Sequence, residues 1–460
     1  MTTLFGHSIR SELLLLYVAE ALACFAAIYL LMAWQLAQGT PIPGSPLPGG
    51  EAGGAAVFAA ILALCVGIIS GVSGLYQPEA WARGKRLLLG TFVASMLLLL
   101  LAWPALRLLG PSYPARLGSH LAEILLVFTV IVMTTRLGFS AAVRHGLLKR
   151  RLLVLRGAED AADATAGTTA NLAEGRPGSF EVVRTLRPGD DLAAALAPER
   201  LRAQRVWAVI ATEATLTPLL RQRCAAAGVR LFSDTEFAER QRSRVVVERL
   251  PEAWIKATRA AREGNLEAML RRTLDLALGL FLVLLTLPVL LLTALAIKLD
   301  SPGPIFYRQE RVGRDGRGFM LFKFRSMVVD AEVGGTPCWA VRQDPRVTRV
   351  GRFIRLTRID EIPQVLNVVR GDMAFVGPRP ERPGFVEQLG QAIPHYHDRA
   401  VVRPGITGWA QVNYPYGASV EDARMKLAYD LYYVHRRSLF LDLLILVATV
   451  RVVLFQEGSR

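Results

Sequence analysis

Apolar residues dominate four runs in the first third of the chain, separated by short polar segments: 12–36, 55–75, 86–109 and 118–139. Each run approaches the roughly 20 residues that an α-helix needs to cross the hydrocarbon core of a bilayer. The segment between the first two runs contains neither Lys nor Arg, whereas Lys85 and Arg86 open the third run and Arg144 follows the fourth. Because positive residues favour the cytoplasmic side, the pattern predicts a four-helix transmembrane bundle over 1–143 with both ends in the cytoplasm.

Shorter apolar runs alternate with helical patterns in the next segment, 144–250. "RLLVLRG" (151–157) and "VWAVIAT" (206–212) have the length and composition of buried strands, and strands that alternate with helices favour a parallel sheet. The turn after the first strand lacks the GxGxxG fingerprint that cradles a dinucleotide, so the sequence predicts a degenerate Rossmann-like α/β domain. A regulatory, packing or dimerising role is favoured over nucleotide binding, and the domain makes a homodimer plausible.

A fifth apolar run, 271–299, is long enough to span a membrane. Arg271 and Arg272 begin it and Lys298 lies near its end, so both flanks favour the cytoplasmic side. Pro288 lies in the middle, where the missing N–H and the ring bend or break a helix. These features predict a re-entrant helix hairpin that enters and leaves the membrane on the same face; a kinked spanning helix is the alternative.

Composition supports a membrane protein, because 52% of the residues are hydrophobic. The formal net charge of +15 suits anionic lipid headgroups or phosphate-bearing substrates, and we expect no nucleic acid partner. The four cysteines show no CxxC spacing, so they predict neither a zinc site nor a disulfide framework. The first apolar run is predicted to be an anchor and not a removed signal peptide.

Charged residues with a chemical pattern concentrate in the last third of the chain. "FMLFKFRSM" (319–327) alternates like a strand and places Lys323 and Arg325 on one face, where they either bind phosphate or form a solvated basic edge. "RLTRIDEIPQ" (355–364) places Asp360 beside Glu361 among arginines. The two carboxylates are either surface ion-pair partners or a nucleophile next to a metal ligand. On a helix they would point about 100° apart and could border one cavity only near a helix end.

These segments belong to a longer series of motifs that continues through "GDMAFVGPRPERP" (371–383), "RPGITGWAQVNY" (403–414) and "YDLYYVHRRSLFLDLLIL" (429–446). The series closely resembles the bacterial sugar transferases, the monotopic phosphoglycosyl transferases. The helical block and the α/β domain resemble the additions found in the larger polyprenyl-phosphate hexose-1-phosphate transferases. The resemblance implies an α/β catalytic domain over 266–460 on the re-entrant helix, joined to the middle domain by a linker over 251–265.

The resemblance also implies an activity and its location. The family transfers hexose-1-phosphate from a UDP-hexose to undecaprenyl phosphate and releases UMP, which initiates exopolysaccharide, capsule or O-antigen synthesis. The expected location is the bacterial inner membrane, with the catalytic domain on the cytoplasmic face of the lipid bilayer. UDP-glucose or UDP-galactose is the expected donor, ahead of N-acetylated sugars. Two alternatives are a non-catalytic scaffold or regulator of polysaccharide export, and an ordinary glycosyltransferase that releases UDP.

Residue roles follow from the same resemblance. Asp360 is the expected nucleophile, which forms a covalent aspartyl-phosphosugar, and Glu361 is expected to hold Mg²⁺. Arg379, in a Pro-Arg-Pro motif, is expected to bind substrate phosphate, and Pro288 matches the family's break in the membrane helix. We expect further substrate or phosphate contacts from four residues: Lys323, Arg325, Arg355 and Asp430.

Overall fold

The computed structural model describes most of the chain in a series of ranges: 2–4, 7–9, 11–37, 50–73, 75, 84–109, 121–155, 180–187, 190–212, 215–260, 264–329, 344–415, 417 and 419–455. Two short strands, β1 (Thr2–Leu4) and β2 (His7–Ile9), open it. Beyond the first residues the chain divides into two units, with the boundary between Phe237 and Ala238.

Four long helices form the first part of the N-terminal unit: α1 (Ser11–Ala37), α2 (Gly50–Val72), α3 (Gly84–Leu109) and α4 (Leu121–Arg144). They share one apolar core, to which each contributes buried residues such as Ile28, Phe58, Leu98 and Phe128. Leucines on their outer faces are exposed, as expected for helices that meet lipid.

Helix length and composition support a membrane association. Within the described residues, three helical stretches are long and apolar enough to cross a bilayer: Glu12–Trp34, Ala122–Val143 and Asn265–Asp300. The apolar stretches Ala56–Val72 and Leu87–Leu100 are shorter. Inside the core, Arg136 Nη2 donates to Glu20 Oε2 at 2.8 Å, and both side chains are fully buried. A buried charge pair of this kind holds α1 to α4, because removing one partner leaves the other uncompensated.

A four-stranded parallel sheet forms the second part of the N-terminal unit, in the order β4 (Phe180–Leu186), β3 (Arg150–Leu155), β5 (Val206–Ala211) and β6 (Arg230–Ser233). The flanking helices are α5 (Leu192–Ala195), α6 (Pro198–Ala203), α7 (Pro218–Ala227) and α8 (Asp234–Arg242). Helix α7 begins with a Thr217 cap and ends at Gly228, whose φ of 69° needs the freedom of glycine. The predicted parallel α/β domain is confirmed; the turn after its first strand lies outside the described residues.

The segment between that sheet and the catalytic part differs from the prediction. Residues 238–250 were assigned to the middle domain, but Val245 and Val247 lie in a buried cluster with Leu427 and Leu431 of the C-terminal unit. The predicted linker 251–265 is also structured: it contains helix α9 (Glu252–Ala260). Apolar residues in both segments explain the difference, because burying them against the C-terminal unit removes them from water.

Two contacts with His435 fix helix α9 within the C-terminal unit. The Trp254 ring stacks on the His435 ring with centroids 4.3 Å apart. The Thr258 hydroxyl lies 2.7 Å from His435 Nδ1. A polar contact beside an aromatic stack orients the helix as well as burying it.

One helix, α10 (Asn265–Asp300), carries the fifth apolar run, and Pro288 lies inside it without ending it. Near its start, Asp275 accepts a hydrogen bond from the backbone N–H of Phe375 at 2.9 Å. Near its end, Ile297 packs with Phe324 and Ile354. The leucines around Pro288 are exposed. The helix is therefore held at both ends, and a hairpin within it stays a prediction.

The remaining C-terminal elements build the platform for the site: β7 (Phe306–Val312), β8 (Gly318–Phe324), α11 (Arg349–Leu356), α12 (Val365–Arg370), β9 (Ala374–Val376), α13 (Pro383–Ala392), β10 (Gly405–Thr407), α14 (Trp409–Asn413), α15 (Val420–His435) and α16 (Leu439–Phe455). Strands β7 and β8 form an antiparallel hairpin. The Asn367 side chain accepts from Phe322 N at 3.0 Å and donates to Met320 O at 2.7 Å. These two bonds fix α12, and the turn before it, against β8.

Candidate active site

The adjacent carboxylates Asp360 and Glu361 lie on one 3₁₀ turn, Ile359–Gln364, between α11 and α12. The chain enters this turn through Arg358, whose φ of 60° lies in the left-handed region. With three residues per turn, neighbouring side chains point about 120° apart. Pro363 lies within the turn, so the pair occupies an irregular helical segment, where the sequence allows both carboxylates to border one cavity.

Two cations hold the Glu361 carboxylate. Lys323 Nζ and Arg379 Nη2 donate to the same oxygen, Oε1, at 2.9 Å and 2.6 Å, and Arg358 lies 4.0 Å from it. Burial alone would raise the pKa of Glu361, but Arg379 and Lys323 outweigh burial and hold the pKa well below its usual value. Glu361 is therefore ionised at any physiological pH and fixes both cations beside Asp360.

Asp360 has a different environment, although it is the next residue. Its side chain is buried, and within the part of the chain that the structure describes no donor is hydrogen bonded to its carboxylate. Burial is the main cause that raises the pKa of Asp360 to about 6, and the charge of Glu361 adds to it. The cations Lys323, Arg379 and Arg355 oppose the rise. A carboxylate that is ionised at neutral pH, with no hydrogen bond occupying its oxygens, is suited to nucleophilic attack.

The two basic residues predicted to share one side of the β8 strand have different roles. Lys323 lies in the carboxylate cluster, and burial lowers its pKa despite the opposing effect of Glu361. Arg325 instead donates to the carbonyl oxygens of Pro302 at 2.6 Å and Ser301 at 2.8 Å. The phosphate role predicted for Arg325 is therefore not supported, because its guanidinium satisfies carbonyl groups that follow the end of α10.

Arg355 and Asp430 complete the predicted set. Arg355, in the last turn of α11, is close enough to Asp360 to lower its pKa. Asp430 is buried on α15 and accepts from Arg399 Nη2 at 2.6 Å. That same nitrogen donates to the backbone oxygen of Arg379 at 2.9 Å. Asp430 is therefore linked to the site through Arg399.

Arg399 is a site residue that the sequence reasoning missed. Besides its bonds to Asp430 and to the backbone of Arg379, its Nη1 donates to the Tyr396 hydroxyl at 3.0 Å. Its side chain is 11% exposed, and that of Asp430 is 2% exposed. No motif or spacing distinguished this arginine from the many others. The nearest signal was the acidic residue at 430, which needs a buried cation as partner.

The C-terminal part of the chain, which contains this site, is similar to known proteins. Residues 266–456 match the family model described as bacterial sugar transferase. The exopolysaccharide production protein PSS of Rhizobium leguminosarum bv. phaseoli is 41% identical over 194 residues, which are 40% of this chain and 95% of that protein. The chain belongs to the bacterial sugar transferase family.

Two longer relatives of this bacterial sugar transferase carry names that specify substrates. The UDP-N-acetylgalactosamine-undecaprenyl-phosphate N-acetylgalactosaminephosphotransferase of Aeromonas hydrophila is 42% identical over 238 residues, 52% of this chain and 55% of that protein. The UDP-glucose:undecaprenyl-phosphate glucose-1-phosphate transferase of Escherichia coli (strain K12) is 44% identical over 189 residues, 41% of this chain and 40% of that protein. The chain thus spans about half or less of the length of these two relatives.

Beside the carboxylate cluster, this bacterial sugar transferase has a cavity of about 700 Å³. Arg379 and Arg399 line it, together with Glu381, Tyr396 and residues of α13. Arg379 thus belongs both to the cavity wall and, through its bond to Glu361, to the carboxylate cluster.

Proposed function

We propose that this protein transfers hexose-1-phosphate from a UDP-sugar to undecaprenyl phosphate, releasing UMP, through an aspartyl-phosphosugar on Asp360. The observation that carries the proposal is the contrast within the carboxylate pair. Glu361 is fixed by two cations, whereas Asp360 beside it accepts no hydrogen bond from the described residues and lies in their positive field. The names of the relatives support the substrate class.

The reaction proceeds in two displacements at one phosphorus atom. A carboxylate oxygen of Asp360 attacks the β-phosphorus of the donor, a new P–O bond forms, and UMP leaves with the electron pair of the broken bond. A phosphate oxygen of undecaprenyl phosphate then attacks the same phosphorus, which releases Asp360 as a carboxylate. Two easier steps replace one difficult step, and the substrates need not be bound at once although one comes from water and the other from lipid.

Positive charge is what allows a carboxylate to approach a diphosphate. Lys323, Arg379 and Arg355 lie around Asp360, and a fixed donor aimed at developing charge contributes about 10²–10³-fold in rate. Glu361 holds Lys323 and Arg379 in place before the substrate arrives. Arg399, fixed by Asp430, holds the Arg379 backbone.

The carboxylate pair also suits the Mg²⁺ that the family implies. Mg²⁺ keeps several waters and binds proteins through one or two carboxylates plus substrate phosphates. Both cation bonds reach Oε1 of Glu361, so Oε2 is available to a hard cation. When bound, Mg²⁺ would neutralise charge on the diphosphate.

We further propose that α1–α4 cross the bacterial inner membrane as a bundle, and that α10 enters it as a re-entrant hairpin bent at Pro288. The shared core of α1–α4 with exposed outer leucines supports the first part. The contacts at both ends of α10 and the exposed leucines around Pro288 support the second. Such a hairpin places the catalytic part on the cytoplasmic face, at the level of the lipid headgroups.

Product identity tests the proposal against its alternatives. The full chain in lipid nanodiscs is incubated with Mg²⁺, undecaprenyl phosphate and each of a panel of UDP-sugars that includes UDP-glucose, UDP-galactose and UDP-N-acetylgalactosamine. We expect UMP; UDP would indicate an ordinary glycosyltransferase, and no nucleotide product with any donor would favour a scaffold.

Covalent capture tests the nucleophile. Wild-type protein incubated with donor alone should gain the mass of one phosphosugar, and peptide mapping should place it on Asp360. Asp360→Asn should gain none, whereas the matched control Asp190→Asn, at an exposed position of the α/β domain, should behave as wild type. An adduct on Asp360→Asn would refute the assignment.

A further inference from the structure

The 700 Å³ cavity has walls from three parts of the catalytic unit: the turn after β7, the segment that contains Arg379, and the region from α13 to Pro404. Its volume is in the range of pockets that enclose most of a small ligand. Neither Asp360, Glu361 nor Lys323 lines it. Arg379 therefore connects the cavity to the carboxylate cluster while the nucleophile lies outside it.

We propose that this cavity binds the nucleoside half of the UDP-sugar donor and that UMP departs from it. The inference rests on the proposed function, because it assumes attack by Asp360 on the β-phosphorus. In such a displacement the attacking and leaving oxygens are in line on opposite sides of phosphorus. The leaving nucleotide therefore lies away from Asp360, while Arg379 reaches the phosphates between them. A cavity that touches Arg379 but not Asp360 meets both requirements.

The lipid acceptor fits this cavity poorly. No described residue of α10 lines it, although α10 carries the exposed apolar side chains, including Leu284, Leu285 and Leu291. Its rim instead includes the exposed residues Glu387 and Gln391. An undecaprenyl chain approaching along α10 would have to leave apolar surface and pass a polar rim, which opposes the hydrophobic effect.

The wall chemistry also favours a nucleoside over a hexose. Apolar wall residues include Val386, Val401 and Val402, which suit the faces of a base and a ribose. The cavity's polar lining residues include Arg379, Glu381 and Arg399, and Arg399 donates a hydrogen bond to the Tyr396 hydroxyl. A hexose in the same position would bury several hydroxyl groups against apolar walls, and each one left without a partner costs about 1–3 kcal/mol.

Direct binding of UMP to the full chain in nanodiscs, measured by calorimetry, tests the inference. Ala400→Phe adds bulk to the cavity wall, and Gln391→Trp adds it at the exposed rim on α13. Gln388→Trp is the matched control, because Gln388 is exposed on the same helix but does not line the cavity. If Ala400→Phe fails to fold, Gln391→Trp still tests the inference, since a substitution at an exposed position rarely changes the free energy of unfolding by more than about 0.5 kcal/mol.

We expect the Kd of UMP to rise about tenfold or more in Ala400→Phe and severalfold in Gln391→Trp, and to stay within about twofold in the control. The KM for the donor should rise in parallel, while the KM for undecaprenyl phosphate stays unchanged. An unchanged UMP Kd in both cavity variants, a changed acceptor KM, or a wild type that does not bind UMP would overturn the inference. UMP release by the wild type is scored separately, so a failure of the cavity assignment is distinguishable from a failure of the proposed reaction.

Discussion

Replacement of Lys323 by Met is expected to move the acidic limb of the pH profile to higher pH. Protonated Asp360 cannot attack, so capture of the phosphosugar is lost as the pH falls through the pKa of Asp360, about 6. Lys323 opposes the effect of burial on that pKa. Removing its charge destabilises the carboxylate and therefore raises the pKa further. Methionine keeps the apolar stem of lysine, so the packing beside the carboxylate cluster changes little.

The size of the shift follows from the burial of the site. Loss of one neighbouring cation from such a site changes the ionisation free energy of Asp360 by about 1.4 kcal/mol, a factor of about ten. The midpoint of the limb should then rise from about 6 to about 7. At a pH of about 7 the ionised fraction of Asp360 falls from about nine tenths to about half. A further loss at every pH is expected, because Lys323 also neutralises the substrate phosphates.

The assay is the pH dependence of kcat/KM for the donor, which reports ionisations of the free enzyme, scored by UMP release. Lys256→Met is the matched control, because Lys256 lies on the exposed face of α9 and pairs with the exposed Glu252. Its limb should coincide with that of the wild type. A limb in Lys323→Met that stays near the wild-type midpoint or moves to lower pH would refute the reasoning, even if activity falls.

Three further outcomes are expected. Arg379→Lys should slow phosphosugar capture by about 10- to 100-fold, since a compact ammonium group replaces the planar guanidinium. Arg325→Lys should instead lower the melting temperature and leave the rate of capture within about threefold of the wild type. Equal losses of capture in the two variants would contradict these roles. Chelation of Mg²⁺ should abolish UMP release, and added Mg²⁺ should restore it; full activity in chelator would remove the metal from the proposal. Asp430→Asn should raise the donor KM more than the acceptor KM, because Arg399 loses the carboxylate that fixes it beside Arg379; equal changes in both would indicate general unfolding.

The hydrophobic periodicity and the charge pattern of the sequence were sufficient to predict the largest secondary-structure elements. Runs of about 20 apolar residues predicted the helices α1–α4. The short apolar runs at 151–157 and 206–212, which alternate with helical patterns, predicted the central strands of the parallel sheet. These features depend on local pattern, which the sequence displays directly. The adjacent Asp360 and Glu361 were visible in the sequence, but the residues alone left open whether they form surface ion pairs or a reactive site; the roles given to them come from the family resemblance and stay predictions.

Roles that depend on tertiary partners were not predictable. Lys323 and Arg325 look alike in an alternating strand, yet one meets Glu361 and the other meets backbone carbonyls near the end of α10. Only the position of that helix end decides between them. Arg399 was missed for the same reason, since its partner Asp430 is 31 positions away and no local pattern links the two.

Residues 238–260, which precede α10 and pack against α15, bear on which fragment of the chain would fold alone. Trimming to the family-matched region, 266–456, would remove Val245, Val247 and Trp254 and leave the apolar surface around Leu427 and Leu431 bare. Bare apolar surface of this kind promotes aggregation. A fragment that begins at Ala238 keeps these residues, so we expect it to keep this apolar surface covered, unlike a fragment cut at residue 266.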